Sequence, residues 1–193
     1  MSFDGVTRSY SIANSCTEAG GIELHIRKVH GGAMSEKVFS KMGENTLVRI
    51  NGPIGTFFVR DSERPIIFLF GGTGYAPVKA MVEQLLEERS HRPIYIYWGA
   101  QKQTGFYSTL PDEWSNGNSN IKYIPVVSDV DPTWSGRSGF VHHAVLEDFA
   151  DLQNFDVYAC GSPLMIDAAR KDFIERGLPE KQFYSDSFVA SGN

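Results

Sequence analysis

Two cysteines, Cys16 and Cys160, are all that this 193-residue chain contains. A ferredoxin-type iron–sulfur cluster takes four thiolates, so the chain cannot hold one by itself, and a disulfide framework is excluded with it. Positive charge is scarce: 18 Lys and Arg stand against 23 Asp and Glu, a net charge of −5. That balance argues against a surface for nucleic acid or an anionic membrane. Long apolar runs are missing too. The longest is Ile66–Phe70, far short of the roughly 20 residues a membrane span needs. The stretch Met1 to Asn14 lacks the apolar centre of a signal peptide, so the cytoplasm is the expected location. Metal ligands crowd at His142–His143, but neighbouring helical residues point about 100° apart. Surface histidines are expected there, with no metal site.

What remains is an ordinary globular composition, 41% apolar and 12% aromatic, able to bury a core. The pattern changes near Asp61–Pro65. Before it, Ser9–Ala13, Gly21–Val29, Thr46–Asn51 and Thr56–Val59 read as strands, separated by Gly20–Gly21, Gly31–Gly32 and Asn51-Gly52-Pro53 turns. Ile22, Leu24 and Ile26 alternate with Glu23, His25 and Arg27, the period of a half-buried strand. A short helix is expected over Ser35 to Lys41, with Ser35 as its N-cap. After Pro65 the rhythm becomes strand, helix, strand. Ile66–Phe70, Ile94–Trp98, Ile121–Val127 and Val157–Cys160 read as buried strands, with Phe183–Phe188 as a possible fifth. Helices are expected over Pro77–Arg89, Ser138–Phe149 and Leu164–Arg176, the first carrying Val78, Met81, Val82, Leu85 and Leu86 on one face. Such alternation means a parallel sheet. The expected fold is a partial antiparallel β-barrel (residues 1–61) followed by an α/β doubly wound parallel sheet (residues 62–193).

Ligands of such sheets bind beyond the carboxyl ends of the strands. Gly71-Gly72-Thr73-Gly74-Tyr75-Ala76-Pro77 lies at a strand-to-helix turn there, where glycines let backbone approach a pyrophosphate and a helix start offers free N–H groups. It is neither the G-x-G-x-x-G fingerprint nor a P-loop, and a plain tight turn remains an alternative. Cys160-Gly161-Ser162-Pro163 forms a second such turn, in which Cys160 could equally be a buried small hydrophobe. In Arg8-Ser9-Tyr10-Ser11, strand geometry puts Arg8 and Tyr10 on one face, suited to a phosphate and a flat ring.

In this order, R-x-Y-S, a Gly-Gly loop, G-P-x-G, G-G-T-G-x-x-P, C-G-x-P and a late aromatic, the motifs resemble the ferredoxin–NADP reductase superfamily. The likeness is to its NAD(P)H-flavin and oxygenase-reductase branch, which includes phenol hydroxylase reductase components and the CDP-6-deoxyhexose reductases. The resemblance implies that Arg8 contacts the FAD pyrophosphate, Tyr10 stacks on the isoalloxazine and Ser11 bonds near flavin N5. It implies that amides of Gly32, Ala33, Met34 and Ser35 cradle the pyrophosphate, that His25, Ile26 and Arg27 run beside the ribityl chain and adenosine, and that Gly52-Pro53-Ile54-Gly55 closes the barrel wall. Gly72, Thr73, Gly74 and Pro77 belong by the same resemblance to the NADH or NADPH turn, Cys160 and Gly161 lie against the nicotinamide, and Phe188 shields the flavin. Ser11, Cys160 and Phe188 are the implied catalytic set.

The implied activity is that of an NAD(P)H-dependent flavoprotein reductase passing electrons to an iron–sulfur domain or partner protein. A free-flavin reductase and a cofactor-binding subunit without turnover are the alternatives. NADH is the expected donor, because Ser128 and Asp129 near the end of the third parallel strand, followed by Asp131, place carboxylates where a 2′-phosphate would want donors. Arg8 stands almost at the start, whereas the family's barrel has strands before it. A piece of a longer reductase is therefore the expectation.

Overall fold

The computed structural model describes residues 1–15 and 20–188; Cys16 lies outside them. The second half is built on six parallel strands: β3 (Ile66–Gly71), β4 (Ile94–Ala100), β5 (Ile121–Val127), β6 (Arg137–Ser138), β7 (Asp156–Gly161) and β8 (Phe183–Ser187), in the order β6-β5-β4-β3-β7-β8. Helices α2 (Tyr75–Glu87), α3 (Leu110–Gly117), α4 (Val141–Asp148) and α5 (Pro163–Glu175) connect them. The strand order reverses between β3 and β7, and that is where a crevice opens in such a sheet.

Strand β3 shows why the sheet is buried on both sides. Ile66, Phe68 and Phe70 enter one core with Tyr75, Val78, Trp98 and Tyr158, while Ile67 and Leu69 enter a second with Val141, Val145, Ile166 and Phe173. Alternation here separates two apolar faces rather than apolar from polar. Helix α3 is one that apolar spacing does not announce. It is eight residues long with Pro, Asn and Gly among them, and it is held by buried Trp114.

The first half departs from the expected strands. It holds α1 (Ala33–Lys41) and a two-stranded antiparallel sheet, β1 (Ser2–Phe3) with β2 (Val6–Thr7). Of the expected runs, Ser9–Ala13 meets Gly21–Val29 through the single bridge Ile12–Leu24, and Thr46–Asn51 joins the chain start through Ser2–Arg49. Thr56–Val59 forms no strand. Period-2 patterning gives each run an inner face but supplies no partner edge, and without one the ladder does not propagate. Leu47 is 93% and Ile54 81% exposed, so the G-P-x-G segment walls off no core among the described residues. Helix α1 is capped at Gly32, not Ser35. The Ser35 hydroxyl turns back to the carbonyls of Val29 and Gly32 instead.

The histidine pair corrects another expectation. His142 is 7% exposed, and its ring lies 4.3 Å from that of the solvent-exposed His143. Burial, with His143 beside it, holds His142 below the usual histidine range. The two rings converge despite standing on neighbouring residues of one helix, and both lean toward Asp172 on α5.

Two polar clusters tie the halves together. Lys79 on α2, nearly buried, bonds to Glu23 (2.9 Å), Glu83 (2.7 Å) and the carbonyl of Ala13 (3.1 Å). Glu23 in turn holds His25 (2.7 Å), whose other ring nitrogen meets the Tyr107 hydroxyl (2.9 Å). In the second cluster, Arg92 pairs with buried Asp156 (2.8 Å) and donates to the carbonyls of Arg64 and Arg60 on the connecting segment. No helix among the described residues is long and apolar enough to cross a membrane.

Candidate functional site

The carboxyl ends of β3, β4 and β7 converge on two cavities that share Arg27, Gly72 and Thr73. The larger, about 740 Å³, runs from His25 and Ile26 of the first half to Gly99–Lys102 after β4 and to Tyr107. The smaller, about 230 Å³, lies between Gly71–Thr73 and Gly161–Ser162, with Met165 and Phe188 on its walls. The sequence therefore puts its two glycine turns on opposite sides of one crevice.

Close backbone approach explains the glycines. A Cβ on Gly161 would stand 3.3 Å from the Gly71 amide nitrogen and 3.0 Å from Met165, and one on Gly74 would meet the Cys160 carbonyl oxygen at 2.5 Å. The crevice floor is thus bare main chain. That is the surface a phosphate or a flat heterocycle needs, and the residues fit a pyridine nucleotide on that ground. Ser162 caps α5 beside it through the Met165 amide.

Of the implied catalytic set, Ser11 reaches across from the first half to place its hydroxyl 3.4 Å from the Asp186 carboxylate on β8. Phe188 donates its amide to the Gly161 carbonyl (2.8 Å), which fixes its ring at the smaller cavity. Cys160 is fully buried in the first core and lines neither cavity. Burial pushes its thiol well up, and nearby Asp186 adds to this, so it is a neutral thiol at ordinary pH. Asp186 itself is raised by burial and drawn back by the Ser11 hydroxyl. Sequence reasoning missed Asp186. Its signal was a carboxylate two residues before Phe188 on the same face of a strand otherwise rich in aromatics.

The remaining site residues are dispersed. Tyr10 is half-buried; desolvation raises its phenol and the Arg8 guanidinium opposes this. Neither lines the two cavities, and nor do Ala33, Met34, Ser35 or Pro77. Gly32 spends its amide on the Val29 carbonyl, which leaves the first-turn amides of Ala33, Met34 and Ser35 as the candidate anion cradle. Ser128 and Asp129 sit beside the larger cavity, their amides bonded to the carbonyls of Ala100 and Gln101, with Asp129 3.9 Å from Lys102.

Residues 68–171 match the oxidoreductase NAD-binding domain family, and residues 2–59 match the oxidoreductase FAD-binding domain family. The chain is 60% identical over 193 residues to Protein RfbI of Salmonella typhimurium, covering 100% of this chain and 58% of that protein. It is 54% identical over 188 residues to the CDP-6-deoxy-L-threo-D-glycero-4-hexulose-3-dehydrase reductase of Yersinia pestis, covering 97% and 57%. It therefore spans somewhat more than half the length of these relatives. Among solved structures, the Amycolatopsis cytochrome P450 reductase GcoB is similar with a TM-score of 0.89 at 29% identity, over 97% of this chain and 58% of that one. The fold is that of the ferredoxin reductase-like proteins, and the chain belongs to the oxidoreductase NAD-binding domain family, preceded by a matching FAD-binding domain.

Proposed function

We propose that this chain brings NADH to FAD and relays the electrons to an iron–sulfur domain or partner protein. The boundary between the two cofactor halves falls in this reading at residues 61–62, in the segment that Arg92 ties down. The observation that carries it is the Ser11–Asp186 hydrogen bond, which joins the two halves where the crevice ends at Phe188. When bound, the nicotinamide and the flavin supply the redox chemistry. The chain's own part is to hold the rings, exclude water and keep the Asp186 carboxylate in place to accept from the Ser11 hydroxyl. In this arrangement Phe188 covers the flavin face and yields to the nicotinamide. Tyr10 and Arg8 stack on and pair with the flavin nucleotide, and the first turn of α1 takes its pyrophosphate. Gly72, Thr73 and Arg27 face the pyridine nucleotide. The acceptor lies outside the described chain, since two cysteines cannot hold a four-thiolate cluster. Relatives named as reductases of a dehydrase and of a cytochrome P450 support a protein acceptor.

The visible absorption of purified protein, recorded without oxygen before and after NADH, tests this reading. A flavin spectrum that bleaches is expected. A colourless protein that retains no added FAD, or a flavin that NADH leaves oxidised, overturns it. A colourless protein that turns over added flavin returns the free-flavin alternative.

Two variants refine the site. Cys160→Ser keeps size and should fold, but its hydroxyl, placed next to Asp186, should compete for the bond that Ser11 makes. A severalfold slower flavin reduction is expected in rapid mixing, and a wild-type rate would leave Cys160 as core packing alone. Asp129→Arg should shift the ratio of specificity constants toward NADPH by about fivefold or more, because it removes a repelling carboxylate and frees Lys102. A wild type that already prefers NADPH would refute the reading of Asp129.

A further inference from the structure

Helices α4 and α5 pack on the face of the sheet opposite α2, within the second core. There His142 and His143, in the first turn of α4, face Asp172 near the end of α5. A ring nitrogen of each histidine and a carboxylate oxygen of Asp172 lie within 4.8 Å of one another. Nε2 of His142 is 3.4 Å and Nε2 of His143 4.0 Å from the same Asp172 oxygen.

Those separations are too long for strong charge-assisted hydrogen bonds, which run to roughly 2.7–2.9 Å. The 3.4 Å separation matches neighbouring ligands around one tetrahedral ion, and the half-exposed side chain of His143 has room to close the few tenths of an ångström that remain at 4.0 Å. Zinc holds imidazole nitrogen and carboxylate oxygen at about 2.0–2.2 Å, which puts neighbouring ligands about 3.3–3.5 Å apart. Nδ1 of His142, on the other side of the ring from Asp172, is buried without a hydrogen-bond partner among the described residues, so the polar contacts of this ring are confined to the Nε2 edge that faces Asp172 and His143. Phe140 stacks on His142 at 5.9 Å and meets His143 edge-on. The side chain of His143 is 55% exposed, which leaves a solvent side for entry and for a bound water. The N-terminal dipole of α4 opposes a cation, whereas the last turn of α5 and the Asp172 charge favour one.

We propose that His142, His143 and Asp172 form a site for a divalent cation of the zinc class, with water completing the coordination, that pins α4 to α5. Two imidazoles and one carboxylate select borderline ions such as Zn²⁺, Co²⁺ or Ni²⁺ over Mg²⁺ or Ca²⁺. Asp172 lies seven residues along α5 from Met165, so the ion would fix the far end of the helix that starts at the wall of the smaller cavity.

The test uses the full chain without a histidine tag, freed of metal by chelator. Zn²⁺ is titrated against a chromophoric competitor, and Co²⁺ against its own visible absorption. One equivalent with a Kd of about 1 µM or tighter is expected, with Co²⁺ bands of low-symmetry, four- or five-coordinate intensity and a raised Tm. The exposed variant His143→Ala and the partly exposed Asp172→Asn, each with wild-type circular dichroism, should weaken Zn²⁺ at least tenfold. Mg²⁺ should not compete. No binding by the wild type, binding only at millimolar Zn²⁺, or wild-type affinity in both variants would overturn the site. If either variant fails to fold, the other decides.

Discussion

Arg92→Ala is expected to destabilise the protein by about 3–5 kcal/mol, the cost of leaving a buried charge without its partner. Asp156 is 1% exposed, and Arg92 is the cation beside it. The same guanidinium holds the carbonyls of Arg64 and Arg60, so truncation also releases two bonds along the segment between the halves. For a chain of this size the loss corresponds to a Tm roughly 6–20 °C lower. Urea denaturation gives the direct measure. A loss below about 1 kcal/mol would mean that the pair is hydrated in solution. Replacing both partners by apolar residues should recover much of the loss, because the desolvation cost then disappears along with the attraction.

Gly74→Ala comes next in size. Its added methyl would stand 2.5 Å from the Cys160 carbonyl oxygen, 2.9 Å from the Cys160 carbonyl carbon and 3.3 Å from Phe70 Cβ. Main-chain atoms of a central strand cannot move aside as a side-chain tip can. The turn after β3 and the end of β7 must part, which should cost at least about 3 kcal/mol, the upper range for overpacking. Parting them also opens the floor of the crevice, so NADH affinity should fall at least tenfold. Gly72→Ala is the control. Nothing lies closer than 3.9 Å to its Cβ, yet its φ is +54°, so the penalty is conformational and about 1–2 kcal/mol. Equal losses in the two variants would defeat the packing argument.

The α/β half was legible because β3 and β4 are buried on both faces, which writes continuous apolar runs into the sequence, and because glycine marks both crevice turns. The first half was not. Its alternating runs state which side is apolar, but sheet formation depends on a neighbouring edge that patterning does not encode. The residues missed at the site share one property. Asp186 meets Ser11 across 175 residues of chain, Lys79 meets Glu23 across 56, and Arg92 meets Asp156 across 64. No local window contains such pairs. The histidines failed for a related reason: the divergence of neighbours on one helix says nothing of an acceptor supplied by another.

The position of β3 between β4 and β7 has a kinetic consequence. Ile66 pairs with Ile94 after one helix has formed, but with Asp156 only after β4, β5 and α4 have been made. Loop closure makes the second pairing the costlier and slower one. The glycine turn at 71–74 is therefore synthesised early and waits for Cys160 and Gly161, so a growing chain owns a three-stranded layer well before it owns a crevice. In pulsed hydrogen exchange during refolding, amides of β4 and β5 should gain protection ahead of those in β7 and β8. The ability to bind nucleotide should appear with the later phase, as the last step of folding.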